Sequence, residues 1–224
     1  MASVVLEVVH RMKGRQQNGF SFWELMIVLS ILAVVSAAIL PGMMRARRRS
    51  ARINCTNNQK QVSLAFKQWA LDQSDSFPMA RSQTNGGTME LVASGLVWPH
   101  YLVMSNELNT PKVLVCPTDT NRLAATNWDS LRNLNLSYFV GVDALDTQPS
   151  MFLIGDRNIS IAGEKPRRGL ISIWTNTPIA WTEQIHGKQG NIGLADGSVQ
   201  GLSNKRLQET FAATGFTTNR LAFP

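Results

Sequence analysis

The chain has 224 residues, of which 44% are apolar and 17% charged, with a formal net charge of +7 and only two cysteines. That length provides one ordinary domain plus a further segment, and the composition excludes both a disordered chain and one wholly embedded in lipid. The basic balance permits an anionic partner, but five of the positive charges, Arg45, Arg47, Arg48, Arg49 and Arg52, cluster beside an apolar run. Lipid headgroups explain them more simply than nucleic acid, and no basic stripe with interleaved aromatics points to nucleic acid elsewhere.

Residues 1–19 form a short basic leader in which Arg11, Lys13 and Arg15 outweigh Glu7, leaving +5 on the remainder. Residues 20–44 read FSFWELMIVLSILAVVSAAILPGMM, and the 20 residues from Leu25 to Met44 carry no charge. As a helix they rise about 30 Å, the thickness of a bilayer core, and a soluble helix of this length with no polar stripe would be unusual. An ordinary secretory signal is the first alternative, with Ser36-Ala37-Ala38 as its cleavage site. Against it, Gly19 sits before the apolar run, where such a signal has no use for it, and Glu24 lies near the run's start. An acid at the centre of a membrane helix costs roughly 2.5–3.5 kcal/mol, less near an end, and is retained when it has a partner. Pro41 lacks an amide hydrogen and Gly42 weakens the helix further, so a kink or local melting is expected there.

Residues 43–72 also read as helix. No Pro or Gly interrupts Met43 to Phe77, and Val62, Phe66 and Trp69 recur at i, i+4 and i+7, making one apolar face that a sheet can cover. Asp75 to Gly87, with Pro78 and Gly86-Gly87, reads as a loop. Short β-rich runs follow (VLVCP, LSYFVGV, MFLIGD, GLISIW), punctuated by prolines. The clearest hairpin is 190–202, GNIGLADGSVQGL, where Asp196-Gly197 suits a two-residue I′ turn. Ser203 then caps a helix to about Thr214, with Leu207 and Phe211 on one face and Gly215 as terminator. The fold class is α+β: a long N-terminal membrane helix continuing into a helix packed on a small antiparallel sheet. The segments are 1–19 leader, 20–44 membrane helix and 45–224 globular domain.

No Gly-rich phosphate loop and no paired zinc-ligand spacing appears. Cys55 and Cys116 both lie beyond the apolar run, so export of that part permits a disulfide; two independent buried thiols are the alternative, and spacing does not place their Cα atoms. His186 precedes Asp196-Gly197 by nine intervening residues. A His and an Asp can bind a metal or act as base and orienter. No nucleophile signature accompanies them, an Asp in a tight turn serves its own backbone, and a His before a strand most often makes a structural hydrogen bond, so the structural role is favoured.

The segment GFSFWELMIVLSILAVVSAAILPGM resembles the N-terminal signature of type IV prepilins and type II secretion pseudopilins. The resemblance implies that a prepilin peptidase cuts between Gly19 and Phe20 and N-methylates Phe20, that Glu24 is the family's fifth mature residue, and that Pro41 is its characteristic mature-helix proline. The physical role of Glu24 follows: the new Phe20 amine is positive near neutral pH, and a neighbouring subunit's Glu24 carboxylate neutralises it in low dielectric, setting axial register. Processing places the leader in the cytoplasm and the domain in the periplasm, with a single span in the bacterial inner membrane. The flanking charge count, three Lys and Arg before the span and five after, opposes this, and the cleavage signature overrides it.

INCTNNQKQVSLAFKQWA, Cys116-Pro117-Thr118-Asp119, Gly155-Asp156-Arg157-Asn158-Ile159 and QIHGKQGNIGLADGSVQGL are similar to a subfamily with a C-terminal His-x9-Asp-Gly element. The implied function is assembly into a pseudopilus or pilus-like filament that supports secretion, not catalysis. Its partners are the peptidase, further copies, minor pseudopilins and membrane lipid. No cofactor is required. Major pseudopilins often hold calcium, for which Asp119, Asp143, Asp146, Asp156 and Asp196 are candidates, but their spacing matches no EF-hand and no ligand set is assigned. Within the class the rival is a type IV pilus minor pilin or adhesin. Outside it, the rival is a signal-anchored periplasmic enzyme or binding module using His186 and Asp196.

Overall fold

A computed structural model describes residues 21–224; Gly19 and Phe20, the expected processing site, lie outside the described residues. Helix α1 runs Phe22–Asp72, 51 residues, ending where expected but without the partial interruption expected on the way. Its backbone is helical through Pro41 and Gly42, so the expected melting there is not seen. A proline deletes a single ladder hydrogen bond, and helix on both sides carries the turn. The end of α1 is sharp. Ser74 and Asp75 take left-handed backbone angles, φ 56° and 55°, and the Gln73 and Asp75 amides both return to the Ala70 carbonyl at 2.9 Å, closing orphan carbonyls as helix C-termini require.

The chain divides into two units, to Arg47 and from Arg48. In the first, Phe22–Leu40 is long and apolar enough to cross a membrane, and none of it is buried among the described residues. The second holds a six-stranded antiparallel sheet in the order β4-β8-β1-β2-β6-β7. Its strands are β1 Tyr138–Gly141, β2 Phe152–Asp156, β4 Gly169–Trp174, β6 Gln189–Leu194, β7 Val199–Ser203 and β8 Thr218–Phe223. β3 Ile159–Ile161 and β5 Ile179–Trp181 pair separately.

One core lies where the second half of α1 meets the sheet. Val62, Ala65, Phe66, Trp69 and Ala70 pack with Phe77, Tyr101, Leu114, Val140 and Ile154, and Phe66 meets the Phe77 and Tyr101 rings edge-on at 6.0 Å. Here the i, i+4, i+7 stripe is buried as read. Close approach needs glycine. A Cβ on Gly193 would stand 2.6 Å from Ser63 Oγ and 2.7 Å from Ile154 Cγ1, so only a bare Cα lets helix and strand meet. A second core, Phe139, Phe152, Ile192, Leu221 and Phe223 with Ile179 and Trp181 of β5, is closed by Leu207 and Phe211 of a short helix. That helix, Asn204–Ala212, is capped by Ser203, whose hydroxyl accepts the Arg206 amide at 3.5 Å.

Three expectations change. VLVCP is not a strand: Pro111–Leu114 forms a 3-10 turn capped by the Thr110 hydroxyl, and the segment is tied instead to α1 by Asn58 Nδ2, which donates to the Val115 carbonyl at 3.1 Å. The 190–202 hairpin forms, but its turn is not I′. Gly197 alone has positive φ, +87°, and its amide donates to the Leu194 carbonyl at 2.9 Å, so Ala195 and Asp196 are the central residues and Gly197 supplies the left-handed bulge position. The third is β8: residues 218–223, not among the expected β-rich runs, form a strand between β4 and β1.

Candidate functional site

The N-terminal element begins with Ser21, whose backbone amide donates to Glu24 Oε2 at 2.8 Å. This is half of a capping box, the carboxylate three residues into the helix reaching back to the N-cap amide, and it suits an acid in the first turn. Glu24 is exposed, so its carboxylate has a local partner without being enclosed by its own chain.

The globular unit holds a second, denser site, which the spacing of residues did not reveal. Cys55 on α1, Cys116 in the loop after the 3-10 turn, Asp156 at the end of β2 and His186 in the loop before β6 each turn one ligand atom inward. All four atoms lie within 4.8 Å of one another. Cys55 and Asp156 are 0% exposed and Cys116 1%. The Cys55 thiol donates to Asp156 Oδ1 at 3.4 Å and meets the Tyr138 hydroxyl at 3.5 Å. Cys116 Sγ lies 3.4 Å from His186 Nε2, which is 3.6 Å from Asp156 Oδ2. In the structure both cysteines are free, and the fold brings the two side chains to one point.

An outer ring orients these groups. Gln59 Nε2 donates to Asp156 Oδ1 at 2.8 Å, and the Asn191 amide and Nδ2 donate to Oδ2 at 2.7 and 3.2 Å. The Thr118 hydroxyl sits 3.1 Å from Cys116 Sγ and 3.4 Å from His186 Nδ1. Beside the cluster, Arg157 grips Asp119 in a bidentate pair at 2.7 and 2.6 Å, and Ser137 Oγ donates to the same carboxylate at 2.9 Å. The Cys-Pro-Thr-Asp and Gly-Asp-Arg-Asn segments therefore meet twice, once through Cys116 and Asp156 and once through Asp119 and Arg157.

The electrostatics are those of a crowded, dry site. Burial pushes the Asp156 carboxyl up to about 7; a Cys116 thiolate adds to the rise, while His186 and the Asn191 amide oppose it. Hydrogen bonding from Cys55 holds Cys116 down at about 5, aided by His186 and Thr118 and opposed by burial. Burial drives the Cys55 thiol far above its ordinary range. Burial pulls His186 down too, but Cys116 and Asp156 outweigh it and the net shift is upward. The shifts thus run toward a thiolate at Cys116 and a proton kept on Cys55.

His186 and Asp196, joined by their spacing in the sequence, are not joined here. His186 faces Asp156, whereas Asp196 is exposed in the hairpin turn, where Oδ1 accepts the Ser198 amide at 2.8 Å. The five aspartates weighed as calcium ligands are engaged separately. Asp119 binds Arg157, Asp143 binds Arg220, Asp146 binds Lys67, and Asp156 and Asp196 have the partners just described. Among the described residues no three of them converge. Gln59, Tyr138 and Asn191 went unnoticed in the sequence because polar residues of this kind signal nothing until a partner is placed beside them.

No curated protein and no solved structure matches the chain significantly. Residues 14–40, spanning Gly19, Phe20, Glu24 and the apolar run, match the model of the prokaryotic N-terminal methylation motif, so the chain carries a prepilin-type processing and anchoring segment ahead of a pilin-like α+β domain.

Proposed function

We propose that the protein is a prepilin-like structural subunit. A prepilin peptidase removes residues 1–19 and methylates Phe20. The mature chain waits in the bacterial inner membrane with its domain in the periplasm, and copies then assemble, with minor subunits, into a type II secretion pseudopilus or a related type IV pilus-like filament. The observation that carries this reading is the coincidence, within residues 14–40, of the methylation motif with an apolar helix long enough to span a membrane and unburied among the described residues. Such a surface must be covered by lipid or by like helices. In the filament the Glu24 carboxylate exchanges its Ser21 amide for the Phe20 amine of a neighbour, a donor that carries a full positive charge.

Intact-mass measurement of the membrane form tests the reading. A chain that begins at Phe20 and carries one added methyl group supports it, and a chain beginning anywhere else refutes it. Glu24→Val is expected to be cut normally and to remain in the membrane without entering filaments; wild-type incorporation of that variant would remove the register role.

A further inference from the structure

We infer that Cys55, Cys116, Asp156 and His186 form a structural zinc site, a tetrahedral centre that ties α1 to three parts of the globular unit. The inference does not rest on filament assembly.

The first argument is geometric. Zinc bonds of about 2.0–2.3 Å arranged tetrahedrally place ligand atoms about 3.3–3.8 Å apart. Cys116 Sγ lies 3.4 Å from His186 Nε2, and the Asp156 carboxylate comes within 3.4 Å of Cys55 Sγ through Oδ1 and 3.6 Å of His186 Nε2 through Oδ2; one ligand atom from each of the four residues lies within 4.8 Å of the others. The second is chemical. Two sulfurs, one imidazole nitrogen and one carboxylate oxygen make the mixed set zinc takes, whereas calcium and magnesium want oxygen alone. Four protein ligands enclosed by the fold leave no open position, the mark of a structural rather than a catalytic centre.

The third argument is the outer ring. A metal-binding imidazole usually has its second nitrogen held by a hydrogen-bond partner; here Nε2 faces the cluster and Nδ1 faces the Thr118 hydroxyl at 3.4 Å. Asp156 is gripped by Gln59 and Asn191, and the Tyr138 hydroxyl lies at Cys55. Two thiolates and a carboxylate around a divalent cation leave one net negative charge. Arg49 and Arg52 line a cleft of about 510 Å³ that reaches His186, supplying compensation and a way in.

The fourth argument is backbone strain. Ile185, Gly187 and Lys188, the neighbours of His186, have φ of 67°, 60° and 57°. A β-branched residue in the left-handed region is costly, and such conformations persist where the surroundings over-determine them. Asn158 Nδ2 clamps the loop by donating to the Gln184 and Gln189 carbonyls at 2.8 and 3.2 Å, and a metal bond to His186 supplies the remaining hold. Each of the four segments that resemble the His-x9-Asp-Gly subfamily contributes one ligand, which gives that set of scattered motifs a single physical reason.

The test uses the untagged full chain in detergent, reduced with a phosphine, stripped of metal and titrated with zinc alone against a chromophoric chelator. One zinc per chain is expected, with protons released on binding, both cysteines shielded from alkylation until a chelator is added, and thermal stability that falls on chelation and returns with zinc. Cobalt(II) added to the stripped chain should give tetrahedral ligand-field bands and a thiolate charge-transfer band. Cys116→Ser and His186→Gln should abolish stoichiometric binding. Because either variant risks misfolding, Thr118→Val keeps all four ligands and should weaken zinc affinity by about 10–100-fold. A reduced wild-type chain that takes up no stoichiometric zinc, or whose cobalt spectrum lacks thiolate character, overturns the inference.

Discussion

The two halves of α1 are built from similar apolar residues yet live by different rules. In Phe22–Leu40 the side chains are exposed on every side: Leu25, Ile27, Leu29, Ile31 and Val34 are 52%, 54%, 51%, 56% and 70% exposed. Further along, Val62 and Phe66 are 0% exposed while Leu64 and Leu71 point outward at 63% and 72%. The second half therefore has one face chosen by a sheet, and the first half has no face at all. Helical periodicity records a partner inside the same chain; an apolar helix without it has the length and composition of a membrane span.

That contrast can be broken by experiments on stability. The largest effect should come from Phe66→Ala, which opens a cavity under two aromatic rings and should cost roughly 3–5 kcal/mol of unfolding free energy, read by denaturant titration of the detergent-solubilised chain. Acidification comes next. Burial holds the His100 imidazole down at about 4, where its Nδ1 meets the Thr88 hydroxyl at 2.7 Å and its Nε2 has no partner among the described residues. The folded value lies below the unfolded one, so the stability is complete above about pH 6.5 and is lost as pH falls toward 4. The loss is on the order of 3 kcal/mol, and His100→Gln should flatten that part of the pH profile.

Gly193→Ala should follow at about 1–3 kcal/mol, because the added methyl collides with Ser63 and Ile154. Leu32→Ala, in the exposed half, should change the unfolding of the globular unit by less than about 0.5 kcal/mol. A cost for Leu32→Ala close to that of Phe66→Ala would erase the distinction between the halves; a graded series of this order would sharpen it.

Much was legible in the chain itself. The apolar run, the glycine before it, Glu24, the stripe Val62–Phe66–Trp69, the Ser203 cap and the 190–202 hairpin are all local signals, because each depends on residues a few positions apart and on backbone preferences that act within one or two turns. What the chain could not disclose was pairing at a distance. Cys55 meets Asp156 across 101 positions and Cys116 meets His186 across 70, separations over which spacing carries no information. The 3-10 turn at Pro111–Leu114 stands where the β-rich run VLVCP suggested a strand, with the Val115 carbonyl paired to Asn58 of α1 rather than to a neighbouring strand. Local chemistry determined the anchor and the helix; only the packing of α1 against β2, β6 and their loops decided that two thiols, a carboxylate and an imidazole would share one dry pocket, since burial and proximity are properties of the folded chain and of no segment within it.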